Sequence, residues 1–155
     1  MAKRYYIAYG SNLNILQMLT RCPSARVIGT GVIPDYRLLF KGSKTGAYLT
    51  IEPCEGKSVP VAVWEISATD ELALDRYEGY PNFYYKSEMR LPIKGIRTGT
   101  VRIKEVFVYI MDERRICGIP SRQYIDTCLE GYRDFGFDED LLFEAFRKSM
   151  EECPV

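Results

Sequence analysis

A run of short segments rich in aromatic and β-branched residues constrains this chain most. They lie at 4–9, 26–33, 36–41, 48–52, 59–66, 84–93 and 100–111, with Gly, Pro, Ser or Asp between them. Val, Ile, Thr, Tyr and Phe suit a half-buried pleated surface, and the breakers mark strand ends. Short strands at regular intervals suggest a barrel or a strongly curled sheet.

Helices are predicted around this sheet. The first follows Gly10-Ser11-Asn12, with Leu13, Leu16 and Leu19 at helical spacing, Ser11 or Asn12 as cap, and Cys22-Pro23 as the stop. Ser67-Ala68-Thr69-Asp70 has a capping-box pattern, from which Leu72, Leu74 and Tyr77 are expected to face inward before Gly79 ends the helix. A helix from Pro120-Ser121 carries Tyr124, Ile125, Cys128, Leu129 and Tyr132 on one face, and Asp138 opens a last one with Leu142, Phe146 and Met150 inward. At 155 residues, one domain spanning 1–155 is expected.

Two features of the composition narrow the chemistry. The chain has no histidine, which removes Ser-His-Asp and Cys-His pairs and leaves carboxylates, tyrosines, lysines and thiols for proton transfer. Lys plus Arg equals Asp plus Glu at 21 each, so no net field favours nucleic acid or an anionic membrane, and a small locally recognised partner fits better. Cys22, Cys54, Cys117, Cys128 and Cys153 are scattered without a C-x-x-C spacing, which reads as idle or buried thiols in a reducing cytosol. The apolar run before Gly10 is too short for a signal-peptide core, and no stretch approaches the ~18 apolar residues of a membrane span. A cytoplasmic protein is expected.

The strand, the Gly10-Ser11-Asn12 turn and the helix after it leave backbone N–H groups unpaired at the positive end of a helix dipole. Such a turn suits a carboxylate or an oxyanion, although Gly-Ser-Asn is also ordinary turn chemistry. Glu78 stands in the last turn of its helix, where the dipole disfavours negative charge by ~0.3–1 kcal/mol. Tyr77, Tyr80, Phe83, Tyr84 and Tyr85 surround it in sequence. Both influences would raise its pKa toward the range of a base working near neutrality, against the plainer possibility of a solvated surface glutamate. Ser121 and Tyr124 read by themselves as a cap and a packing residue.

Taken in order, Tyr9-Gly10-Ser11-Asn12-Leu13, Pro23-Ser24-Ala25, Asp35-Tyr36-Arg37-Leu38-Leu39-Phe40, Leu74-Asp75-Arg76-Tyr77-Glu78-Gly79 and Pro120-Ser121-Arg122-Gln123-Tyr124 resemble the γ-glutamylcyclotransferase family, including its AIG2-like and γ-glutamylamine cyclotransferase branches. The resemblance implies a mixed α/β (α+β) fold, a small curled β-barrel flanked by helices. It also implies an enzyme that closes the α-amine of a γ-glutamyl compound onto its own γ-carbonyl, giving 5-oxoproline. The family's catalytic glutamate falls on Glu78. Its substrate cradle falls on Tyr9, Gly10, Ser11, Asn12 and Leu13, and its pocket tyrosines on Tyr85, Tyr109 and Tyr124, with Tyr84 competing with Tyr85. No cofactor or metal is implied, and the partner is a small γ-glutamyl substrate. Residues 131–138 depart from the pattern of better-known members. A binding domain that keeps the pocket without turnover, and an interaction module using an aromatic surface, are the competing readings.

Overall fold

The computed structural model describes residues 3–43 and 46–152. The chain runs β1 (Arg4–Ala8), a 3₁₀ turn (Ser11–Leu13), α1 (Ile15–Arg21), β2 (Arg26–Gly42), β3 (Tyr48–Ile66), α2 (Ala68–Glu78), β4 (Tyr84–Gly95), β5 (Val101–Met111), β6 (Ile116–Cys117), α3 (Arg122–Phe135) and α4 (Asp140–Glu152). Strands pair in the order β3-β1-β5-β4-β2-β6, and β2 also pairs with β3, so the first five named close into a barrel. All pairings are antiparallel except β1 with β5, where Tyr6 faces Phe107. This is the curled barrel with flanking helices that the sequence pattern and the resemblance lead one to expect.

Four of the expected strands merge into two long ones. The break expected at Pro34-Asp35 is instead a register shift inside a continuous β2: Pro34 pairs with Ser58 and Tyr36 with Pro53, so the chain around Gly56 bulges out of β3 opposite it. Asp35 adopts a positive φ of 59°, and its Oδ1 accepts the Gly56 N–H at 3.1 Å. A short polar side chain that tolerates this conformation lets the strand bend without ending.

The helices show where local pattern gives way to packing. The Ser67–Asp70 capping box forms as expected, and the Asp70 carboxylate also accepts the Ser24 hydroxyl at 2.8 Å, tying α2 to the start of β2. Leu74 is buried, but Leu72 is exposed, because α2 lies on the barrel rim and buries a narrow face. The 3₁₀ turn delays α1, whose cap is Asn14 rather than Ser11 or Asn12. That delay puts Leu16 and Leu19 on the solvent side while Leu13, Met18 and Cys22 are buried. On α4, Leu142 is buried, Met150 is exposed, and Ala145 and Ser149 take the inward places. The inward face of α3 is as expected: Cys128, Leu129 and Tyr132 are buried. Cys22, Cys54 and Cys128 are free thiols, whereas Cys117 is disulfide-bonded, so the expectation of idle thiols throughout fails there. Cys153 lies outside the described residues. No helix among them is long and apolar enough to cross a membrane.

Candidate active site

β1 delivers the chain to the barrel mouth and the 3₁₀ turn folds it back. The turn uses the N–H groups of Leu13 and Asn14, which donate to the carbonyls of Gly10 and Ser11 at 3.0 Å each. The backbone donors left over for a ligand therefore precede Leu13. Three anchors fix the turn. Trp64 Nε1 donates to the Asn12 carbonyl at 3.2 Å, and the Tyr132 hydroxyl to the Tyr9 carbonyl at 3.3 Å. The Asn12 side chain accepts from Arg21 Nη1 at 2.7 Å while its Nδ2 donates to the Tyr6 hydroxyl at 3.0 Å. Gly131 completes the mounting by letting α3 press on the turn: a Cβ there would stand 2.6 Å from the Asn14 nitrogen and 2.7 Å from the Leu13 carbonyl carbon.

Behind this turn lies a cavity of about 420 Å³. Tyr9, Gly10, Ser11 and Asn12 line one side, Arg76, Tyr77, Glu78 and Gly79 from the end of α2 another, and aromatic residues from the barrel and α3 the rest. Gly79 ends α2 with φ 65° and ψ 36°, a left-handed cap that glycine adopts without a Cβ penalty and that turns the chain away just after Glu78. A Cβ on Gly10 would stand 3.4 Å from the Tyr124 hydroxyl and from Leu49, so any larger side chain there projects into the cavity.

Of the residues singled out from the sequence, Glu78, Tyr9, Gly10, Ser11, Asn12, Tyr109 and Tyr124 come together in this cavity. Two do not. Leu13 has its side chain fully buried in the core and its N–H used within the turn. Tyr85 points outside, where its hydroxyl donates to Glu113, and its neighbour Tyr84 lines the cavity instead. The alternation of β4 sends adjacent side chains to opposite faces, so only one of the pair can face in. Phe83, one of the aromatics expected around Glu78, lines the cavity too, and so do Tyr6, Tyr48, Leu49 and Arg76, which the sequence did not single out. Arg76 and Tyr77 sit in the same helical turn as Glu78, which is a usable signal; nothing in the sequence marks Tyr48.

The electrostatics single out one group. Burial pushes the Glu78 carboxyl up to about 8, against the opposing pull of Arg21. Its own residue is half-buried, with the carboxyl turned into the cavity among aromatic rings. No hydrogen bond or ion pair among the described residues engages that carboxyl. Burial, reinforced by the charge of Glu78, raises Tyr6 and Tyr9, and burial likewise raises Tyr84 and Tyr124, so these hydroxyls stay protonated near neutrality. Each has a defined polarity. Tyr9 donates to the Tyr109 carbonyl at 2.7 Å and Tyr84 to the Leu49 carbonyl at 2.7 Å, whereas Tyr124 accepts the Leu49 N–H at 3.1 Å and Tyr6 accepts from Asn12. Tyr6 thus keeps a proton to donate elsewhere, whereas the Tyr124 hydroxyl also hydrogen-bonds the Cys128 thiol.

The family described as "Gamma-glutamyl cyclotransferase, AIG2-like" matches residues 6–126 of the chain. A γ-glutamylcyclotransferase from Bos taurus is 30% identical over 139 residues, 84% of this chain and 71% of that protein. Among solved structures, a γ-glutamyl cyclotransferase at 23% identity superposes with a TM-score of 0.75 over 99% of this chain and 90% of the other. An uncharacterized protein from Homo sapiens at 26% identity gives 0.75 over 100% and 90%. With the family profile spanning the strand, the turn, the glutamate-bearing helix and the start of α3, this chain belongs to the γ-glutamyl cyclotransferase, AIG2-like family of enzymes.

Proposed function

We propose that the chain converts a γ-glutamyl compound into 5-oxoproline and a free amine or amino acid, with Glu78 moving the protons. One observation carries the reading: a carboxyl raised to about 8, free of protein partners, shares a cavity with the Gly10–Asn12 turn. A substrate α-ammonium stands beside its own free α-carboxylate, whose charge holds its pKa above the ~7.7–8 of a peptide terminus. A carboxyl raised to about 8 lies far closer to that range than an ordinary carboxylate of ~4.3 and so loses less driving force in taking the proton.

The substrate supplies its own nucleophile. Well-oriented intramolecular attack reaches effective molarities of ~10⁵ M or more, so the protein's work is to fold the substrate and handle protons. Glu78, as the carboxylate, takes one proton from the α-ammonium, and the freed amine bonds to the γ-carbon as a nitrogen still carrying two protons. The γ-oxygen becomes an oxyanion, for which backbone N–H groups of the Gly10–Asn12 turn are the donors, each worth ~3–4 kcal/mol when aligned. Glu78 returns its proton to the departing nitrogen as collapse re-forms the carbonyl and breaks the original amide C–N bond; the carboxylate then takes the second proton from the ring nitrogen and passes it to the released amine, which leaves as an ammonium. The tyrosine hydroxyls, held protonated, donate or accept hydrogen bonds and take no part in proton abstraction. The leaving half would occupy the mouth beside Arg76, Tyr48 and Phe83.

A chromatographic assay for 5-oxoproline over a panel of γ-glutamyl amino acids and γ-glutamyl amines tests the reading. Release from at least one, abolished by masking the α-amine, is expected. No release from any member of the panel would overturn it.

A further inference from the structure

Asp75 stands one helical turn before Glu78 on α2, so the two carboxylates project from the same side of the helix. Asp75 does not line the cavity, but Tyr109 does. The Tyr109 hydroxyl donates to Asp75 Oδ1 at 2.6 Å, and Lys86 Nζ approaches the same oxygen at 2.9 Å. An oxygen facing two donors acts as the acceptor, so the proton of this pair belongs to Tyr109.

The arrangement is held on every side. Lys86 lies directly opposite Tyr109 in the β4–β5 ladder and also binds Glu71 Oε2 at 2.6 Å, so it grips two carboxylates one turn apart. The backbone of Tyr109 is fixed by the Tyr9 hydroxyl on its carbonyl. Burial and then Asp75 raise Tyr109 far above its ordinary value, so it keeps its proton. With that proton committed to Asp75, the hydroxyl can offer the cavity only lone pairs. It is the opposite of Tyr6, which accepts from Asn12 and keeps a proton to give.

Resting on the proposed γ-glutamyl reading, we propose that Asp75 is a positioning residue: it makes Tyr109 a fixed acceptor toward the cavity, which receives an N–H of the substrate's α-ammonium group. A γ-glutamyl compound has two kinds of N–H, on the α-ammonium and on the γ-amide. The α-ammonium must face Glu78 to lose its proton, and Glu78 shares a helix face with Asp75. A second acceptor beside Glu78 fixes the rotation about the Cα–N bond, so that the remaining nitrogen lone pair is aimed at the γ-carbon.

L-Glutamate and glutarate differ by the α-ammonium alone and carry no amide to cleave, so they serve as probes. Their binding is measured by calorimetry to the wild type, Asp75→Ala, Tyr109→Phe and the double variant. The wild type is expected to prefer L-glutamate, and each single variant to lose roughly tenfold of that preference, as for a hydrogen bond to a charged group. The double variant is expected to lose no more than either. Asp75→Asn keeps an acceptor oxygen for Tyr109 and should retain most of the preference. Additive losses, equal weakening of both probes, or no preference in the wild type would overturn the assignment. If Asp75→Ala does not fold, Tyr109→Phe decides: preference retained there overturns it. An Asp75-dependent preference in a protein that releases no 5-oxoproline would uphold amine recognition while refuting the cyclotransferase reading.

Discussion

Replacing Glu78 by Gln should stabilise the protein at alkaline pH and leave it nearly unchanged in acid. The raised carboxyl makes this a question of linkage. Below pH 4.5 both folded and unfolded chains hold the proton, and the buried carboxyl costs little. Between 4.5 and about 8 the unfolded chain releases it while the folded chain keeps it, so stability falls as pH rises; above about 8 the loss is complete. At roughly 1.4 kcal/mol per tenfold change in proton affinity, a rise from 4.5 to about 8 sets an upper limit of about 5 kcal/mol. Water entering the cavity mouth solvates part of the anion and brings the expected difference to about 2 kcal/mol. Glutamine has nearly the shape of the protonated acid and no charge to bury. For a chain of this size, thermal unfolding followed by circular dichroism should show Glu78→Gln and wild type with similar Tm at pH 5. The variant should be higher by about 4–8 °C at pH 9. A difference independent of pH, or a wild type more stable than the variant at pH 9, would refute the claim that burial holds this carboxyl protonated.

Three further outcomes are expected. Gly10→Val places methyl groups where its Cβ already meets Leu49 and the Tyr124 hydroxyl at 3.4 Å, so KM should rise with a smaller effect on Tm; unchanged kinetics would count against the turn as a substrate contact. Gly131→Ala drives a methyl group to 2.6 Å from the Asn14 nitrogen, and overpacking of this kind costs about 1–3 kcal/mol, so a lower Tm with a raised KM is expected and an unchanged Tm would contradict the close seating of α3. The pH profile of kcat/KM should carry a limb near 8 in the wild type that disappears in whatever activity Glu78→Gln retains; persistence of that limb would assign it to another group.

The parts legible in the sequence are those whose cause is local. The Ser67–Asp70 capping box, the Gly79 stop and the inward face of α3 depend on residues three or four apart, and all three form. The same local rules failed at Leu16 and Leu72, whose spacing suits a helix face but whose burial depends on where the barrel lies. Pro34-Asp35 reads as a break because proline and aspartate end most strands; here the opposite strand bulges and carries the bend. In the site, Glu78 and the Gly10 turn were found through chain punctuation and the family resemblance. The choice between Tyr84 and Tyr85 is set by a cross-strand register, Tyr84 against Met111, that no local pattern encodes. The Asp75–Tyr109 contact is less legible still, since it joins residues 34 apart through barrel closure.

The central claim is that Glu78, its carboxyl buried beside the opening turn, shuttles the proton that lets an α-amine attack its own side-chain carbonyl. Single-turnover release of 5-oxoproline from the best γ-glutamyl substrate, compared between wild type and folded Glu78→Gln, tests it most directly. A loss of at least about 100-fold in the chemical step is expected, the contribution typical of a positioned acid–base group. A variant that forms the ring at close to the wild-type rate would contradict it.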